Sequence, residues 1–492
     1  MKAVFATLLA VMAGWTAVAV LTLPDRRSDV PILHWTTDAN QARDGQIRRF
    51  EAWMVENGYP PVDLELDSNN TGQMKVIIQS ASGVGSPIID VYTGLQLRQY
   101  VASGVLLDLT DLANDPAYGF GLSRTYPAVR EEICVDGRQY TFPCNVTGWP
   151  LVINRGLLER EGLPLPKYDW TWEEFLTWCQ AVRKVDARGR VTRFAIMPFG
   201  AEYLWAGNGA SIFNETMTRC VLDRPEAIEA TQFYFDLMFR HRVMPTPVDE
   251  AAATEGGWGP RVKWLGNEQA VAHQVGRWCL VTLRKDYEGF KADVALLPHK
   301  VMPMQPVTSR SAGINAASAD PALVARFQQY LASAAYNDLI VHDADALPPN
   351  PGLIDPDRRP LNTAFFRPPE YPDEWGPDYS IHDKFRRAVT DHGVGREYSP
   401  FLLPPVVDRE VRKWQEGIAN GQVTVEKGMR ELTARINLEL GRAVQRDPAL
   451  QGRYHEALEL QGKIDALQAA GKAVPLEWIA NPVIRRLREA GK

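Results

Sequence analysis

The stretch PILHWTTDANQARDGQIRRFEAWMVENGYPPVDLEL, residues 31–66, decides the fold. Residues 31–35 read as a short strand. Residues 44–57 follow with apolar side chains at Ile47, Phe50 and Met54, the three-to-four spacing of one helical face, and Gly58 ends the run. Residues 61–66 then alternate as a second strand. Working outward, residues 71–80 repeat a helical face, and IIDVY at 88–92 is the short, mostly apolar run that a strand buried on both faces requires. Strand, helix, strand, helix, strand in that order predicts an α/β fold. Its parallel sheet is covered by helices, and any ligand sits at the carboxyl ends of the strands. The loops after Trp35 and Tyr92 are the first candidates for a site.

Further along, Asp136-Gly137 stands between alternating residues, the signature of a hairpin, and residues 151–153 begin a new strand. Asp136-Gly137 as the turn pairs residues whose numbers sum to about 273. Cys134 and Cys144 are then out of register for a cross-strand bridge. In DWTWEEF, residues 169–175, Thr171 and Glu174 form a capping box, and Trp170 meets Phe175 as a hydrophobic staple. Asp223, with Glu226 three residues on, opens a helix whose Ile228, Phe233, Leu237 and Met238 face a core. Residues 267–280 read as a short helix, a turn at Gly276 and a strand from about Trp278; residues 294–297 add a strand, and Gly313-Ile314 a tight return. Residues 322–335, 406–440 and 451–470 read as amphipathic helices. The proline-dense segment 348–377 reads as a long irregular loop.

Composition narrows the functional classes. With 492 residues the chain exceeds the usual size of a single core. Its 54 basic and 60 acidic residues give a net charge of −6 without a long basic run, which argues against a nucleic-acid surface. Lys2, an uncharged and mostly apolar stretch at 3–23, and the cluster Asp25, Arg26, Arg27 read as an export signal or a signal anchor. Ala17-Val18-Ala19 offers a cleavage site, whereas 21 uninterrupted residues are long enough to span a bilayer, so both forms stay open. The first cysteine is Cys134, so no lipid-modified cysteine follows the signal. The five cysteines lack metal-ligand spacing and read as structural free thiols; neither a metal nor a cofactor is expected.

These pieces together resemble the family 1 extracellular solute-binding proteins, the group that includes maltose-binding protein, over roughly residues 32–440. The motifs, in order, are the Phe50 helix, the helix and turn at 73–83, Asp90-Val91 closing a strand, and VASGVLLDLTDL at 101–112. There follow VDGRQYTFP at 135–143, NRGLLEREGLPLP at 154–166, the DWTWEEF helix start, GRW at 276–278 and QVTVEKGMRELTARINLEL at 422–440. The resemblance implies a two-lobed periplasmic-binding-protein fold of type II. Lobe 1 would be 28–142 with 313–390, lobe 2 the helix-rich 143–312 with 391–440, and 1–27 the signal. The crossovers would be 143–148 and 307–313. It further implies capture of a mono- or oligosaccharide by hinge closure outside the cytoplasmic membrane, and delivery to the permease of an ABC importer by a monomer. The chain departs from the family in lacking a lipobox cysteine and in a helical extension, 441–492.

Sugar recognition needs flat aromatic faces against C–H surfaces and planar polar groups for the hydroxyls. Trp35 and Trp278 are candidates by family position, against the alternative of core aromatics. Trp205 and Trp258, in Gly-rich segments, leave the two readings even. Thr93, Asn145 and Asn208 are candidate hydroxyl partners, with turn formation the competing account, above all for Asn208 beside glycines. Glu202 and Arg310 are charged candidates for which an ion pair is the stronger alternative. The competing classes are a glycoside-hydrolase-like enzyme and a membrane-anchored sugar sensor. No nucleophile elbow, His pair or phosphate-cradling Gly loop supports catalysis.

Overall fold

The computed structural model describes residues 15, 30–40, 42–255, 261–354, 363–375 and 380–492. Apart from Trp15, the expected signal segment lies outside the described residues, and so does Trp258. The strands in chain order are β1 Ile32–Thr36, β2 Asp63–Asp67, β3 Ile88–Val91, β4 Cys134–Val135, β5 Arg138–Gln139, β6 Thr141–Gly148 and β7 Leu151–Asn154. They continue with β8 Lys184–Val185, β9 Val191–Ile196, β10 Ala270–Gln274, β11 Ala292–Ala295, β12 Gln305–Ile314 and β13 Gly393–Val394.

The fold is α/β with two main sheets. The first runs β13-β12-β3-β1-β2, with β6 also paired to β12. β1 is parallel to β2 and β3, the crossovers being the helices Ala42–Glu56 and Gln73–Ala81. All four residues of β3 are buried, as its apolar run requires, while β1 sends Leu33 and Trp35 into a core with Phe50, Leu64, Phe327 and Tyr330. The second sheet runs β11-β7-β10-β9-β8. Its core is completed from far downstream. Val407 and Val411 of the helix Pro404–Ala419, with Met429, Leu432 and Ile436 of the helix Val425–Arg446, pack with Leu151, Phe175 and Leu237.

A two-stranded ribbon joins the sheets. β6 leaves the first sheet and passes through Trp149-Pro150 into β7 of the second; β12 returns from the second sheet's side, antiparallel to β6 and then to β3. One face of the ribbon sends Val146 and Val307 into a third core. The other carries Asn145 opposite Arg310 and Thr147 opposite Thr308. The register steps beside Arg310: Asn145 and then Pro143 are the partners, leaving Cys144 as the extra residue of a bulge. The segments read as crossovers are thus continuous strand, and Gly313-Ile314 is the end of β12 rather than a tight return.

Local chemistry behaves as its residues dictate. Asp136 and Gly137 both take positive φ, 49° and 77°, and pair Cys134 with Gln139 and Val135 with Arg138, each pair summing to 273. Thr171 and Glu174 exchange both capping-box bonds, and the Trp170 and Phe175 rings lie 5.2 Å apart. All five cysteines are buried free thiols.

Four expectations are corrected. The order at 267–280 is inverted: the strand β10 precedes the turn, and a helix, Cys279–Asp286, follows Trp278. Ser333 divides 322–335 into Pro321–Ala332 and Ala334–Asp343, because its hydroxyl caps the second helix. Gly421, at φ 69°, divides 406–440. The helix expected from Asp223 begins at Pro225, whose missing N–H costs nothing in a first turn.

The segment after residue 441 is helical, as Pro448–Ala469 and Pro482–Glu489. Gln461 and Gln468 donate to Glu215 beside the second core, and Val483 and Leu487 pack on Ala206, Met304 and Val394. Among the described residues no helix is long and apolar enough to cross a membrane.

Candidate ligand site

The topology aims the first sheet's carboxyl edge at the second sheet. Val91 at the end of β3 lies opposite Ser311, and Ser311 opposite Pro143, whereas β6 runs on to Gly148. The residues that follow β1 and β3 therefore look along the polar face of the ribbon, with the loops of the second sheet at its far end.

The first wall is a network of charges. Arg43 donates to Asp38 from Nε and Nη2 at 3.0 and 2.7 Å, and from Nη1 to Asp345 at 2.9 Å. Arg310 donates to Asp90 at 2.9 Å and lies 3.5 Å from Asp345. Three carboxylates thus surround two guanidinium groups. Asp90 also accepts from Trp35 Nε1 at 2.7 Å and from the Thr37 hydroxyl. Burial alone would raise the carboxyls of Asp38 and Asp345, but the adjacent arginines hold both below the usual range. Only Asp38, 47% exposed, and Tyr92, whose phenol accepts from the Asp38 backbone N–H at 2.9 Å, come to the surface.

The second wall is aromatic. Gly276 lies so close to the ribbon that a β-carbon there would strike Thr147 Oγ1 and the ring of Trp278. Trp278 is displayed beside that contact, 40% exposed. Trp149, partly exposed, donates from Nε1 to Thr308 Oγ1 at 3.0 Å, and its ring stands 6.2 Å from that of Tyr203. At Tyr203 a cavity of about 80 Å³ is lined also by Glu202, Arg396, Tyr398 and Asp408. Burial pushes the Asp408 carboxyl above its usual value.

A larger groove of about 1240 Å³ runs between the helix Gly94–Ala102 and the carboxyl-terminal helices. Several of its charges are already paired, Arg98 with Glu131 and Arg453 with Asp136. Among the described residues no group of three or more His, Cys, Asp or Glu stands together as a metal site.

The candidates from sequence divide accordingly. Trp278 is exposed beside the ribbon, Asn145 is buried on the ribbon's polar face opposite Arg310, and Glu202 lines the small cavity, where it accepts from Gln415 at 2.9 Å. Arg310 is ion-paired as expected, but inside the protein and behind Asp38 rather than on the surface. Thr93 caps the helix Gly94–Ala102. Trp35 is not a surface stacker: it has no exposed area, packs on Phe327 at 5.0 Å and has the guanidinium groups of Arg43 and Arg310 at 5.9 and 5.7 Å from its ring. Trp205 is core, its indole donating to Thr231. Asn208 is a turn residue, its amide spent on Glu226 O and Glu229. Asp38, Tyr92, Trp149, Tyr203, Arg396 and Asp408 were missed. Asp38 and Tyr92 follow the ends of β1 and β3, so the strand-end rule that selected Thr93 also covered them.

Two α/β sheets joined by a strand ribbon are the architecture of a two-lobed binding protein. Comparison with known proteins agrees. The family of bacterial extracellular solute-binding proteins matches residues 48–338, more than half of the chain, and the chain belongs to that family. Among solved structures it is similar to an ABC substrate-binding protein of Listeria monocytogenes in complex with cycloalternan, with 19% identity over 84% of this chain and all of that one, TM-score 0.66. The cyclic alpha-maltosyl-1,6-maltose binding protein of Arthrobacter globiformis matches at 15% identity over 84% and 98%, TM-score 0.63. Maltose-bound MalE3 of T. maritima matches at 17% over 83% and 100%, TM-score 0.62. At these identities the likeness is one of fold.

Proposed function

We propose that the chain captures a neutral carbohydrate in the cleft between its two sheets and presents it to the membrane subunits of an ABC importer. The observation that carries this reading is the exposed ring of Trp278 beside a ribbon whose polar face carries Asn145, Thr147 and Thr308, with the half-exposed, ionised Asp38 following β1 of the sheet that the ribbon extends. Ionised carboxylates only accept hydrogen bonds, so the first wall suits a ligand rich in hydroxyl donors and repels an anion. The aromatic wall suits the C–H faces of sugar rings. The solved structures in complex with cycloalternan and with maltose, and the one named for binding cyclic alpha-maltosyl-1,6-maltose, support the same class of ligand.

In this reading the lobes are 28–142 with 313–390 and 143–312 with 391–440, the divisions falling inside β6 and β12 so that the ribbon belongs to both. Ligand contacts from both lobes favour the closed state by their differential affinity. The protein acts as an exported monomer, released or held by its amino-terminal segment, and turns nothing over.

Titration with maltose, maltotriose and cyclic oligosaccharides, followed by tryptophan fluorescence and thermal shift with product analysis alongside, tests it. Saturable stabilisation without cleavage is expected. Released product, or no response to any sugar, overturns it.

A further inference from the structure

Two observations meet at one short turn. Ala344 and Ala346 both adopt left-handed backbone, φ 58° and 65°, a conformation that costs an alanine energy and persists only where surrounding contacts enforce it. Both are buried, and the Ala346 N–H closes back on the Ala344 carbonyl at 2.8 Å, which leaves Asp345 at the apex. The turn ends the helix Ala334–Asp343, whose Tyr336 and Ile340 belong to the first core. Leu347 then exchanges two backbone hydrogen bonds of 2.9 Å with Val146 of the ribbon.

Each residue of the turn holds something different. Asp345 accepts from Arg43 at 2.9 Å and lies 3.5 Å from Arg310, so it orients both arginines that stand behind Asp38. The Ala346 carbonyl accepts from Arg277 Nη1 at 2.8 Å. Arg277 is 1% exposed; it also donates to the Val341 carbonyl at 3.0 Å and to His382 Nδ1 at 3.0 Å. Five N–H donors in a rigid plane make it a fixed bracket rather than a tether. The next residue is Trp278, and on its other side Gly276 is pressed against Thr147.

We infer that the turn 344–347 positions both walls of the cleft at once, Asp345 through the arginines behind Asp38 and Ala346 through Arg277, which aims the ring of Trp278. This rests on the reading of the cleft as the ligand site. Asp345 and Arg277 are positioning residues: neither needs to touch the ligand. Because the turn is also pinned to the ribbon, a shift of either wall is passed to the other through three consecutive residues.

The test uses the full chain labelled with 5-fluorotryptophan, the Trp278 fluorine line being identified by its loss in Trp278→Phe. Asp345→Asn, on the far side of the turn, is expected to move or broaden that line in the ligand-free protein; an unmoved line overturns the coupling. Arg277→Lys, which loses the planar fork, is expected to weaken binding of the probe maltotriose about tenfold, equivalent to ~1.4 kcal/mol. In a Trp278→Ala background the same change should weaken binding less than about twofold. An equal loss in both backgrounds overturns the role through Trp278. If maltotriose does not bind, the sugar reading fails while the fluorine line still decides the coupling.

Discussion

The two walls of the cleft are made of opposite materials. The first is a set of charges brought together from residues 38, 43, 90, 310 and 345, nearly all of it buried, with one carboxylate and one phenol at the surface. The second displays the rings of Trp149, Tyr203 and Trp278, which carry no formal charge. A buried charge network fixes geometry because each member is costly to leave unpaired, whereas a half-exposed ring gives contact area and leaves the fold nearly indifferent to its removal. The first wall is therefore tied to stability and the second to affinity.

Substitutions separate the two. The largest effect is expected from Asp90→Ala, which leaves Arg310 buried without its closest carboxylate and should cost about 3–5 kcal/mol of folding stability by urea denaturation. A loss under ~1 kcal/mol would mean that Asp345 alone satisfies Arg310. Next, Trp278→Ala should lower sugar affinity by about 2 kcal/mol in titration calorimetry while changing stability by less than about 0.5 kcal/mol.

Acid should loosen the second wall before the first. Behind Trp278, His382 is buried as a neutral ring accepting from Arg277, and burial pushes it down to about 4. Its folded value lies below its unfolded value, so the unfolded chain binds the extra proton. The stability it confers is complete above about pH 6.5 and is lost as pH falls toward 4. His273, also pushed down to about 4 by burial, adds in the same direction. The carboxyls of Asp38 and Asp345, held below their usual range, keep their contribution until pH falls below that range. Urea midpoints at pH 7, 5.5 and 4.5 should therefore fall more steeply, or rise less, in the parent than in His382→Gln, because the buried carboxyl of Glu397, pushed up to about 7, works the other way in both; an identical pH dependence would remove the distinction. The smallest effect, a control outside both walls, is Arg453→Gln. It breaks an ion pair to Asp136 whose side chains are both about half exposed and should change stability by about 0–1 kcal/mol.

Legibility followed the range of the interactions. The β-α-β order, the register set by Asp136-Gly137 and the capping box at Thr171 are decided by neighbours within a few residues, and each is present in the fold. The first wall could not be read in the same way. Arg43 meets Asp345 across 302 residues and Arg310 meets Asp90 across 220, and nothing in local spacing marks either pair. Trp35 ends a strand as a ligand residue would, yet the alternation of β1 turns it to the core. Glycines around Trp205 and Asn208 suggested a surface loop; the segment is instead folded inward by bonds to Thr231 and Glu226. Trp278, which the family motif pointed to, is exposed beside the ribbon, although the strand expected there is a helix.

The five buried thiols give the molecule a built-in gauge. Burial pushes the Cys134 thiol up to about 11 and that of Cys220 to about 12, so a thiol-specific reagent finds almost no thiolate in the native chain. Cys144 lies in the first core and Cys179 and Cys220 in the second, with no bridge among the five. The order in which these sulfurs become reactive under mild denaturant therefore reports which half of the molecule opens first.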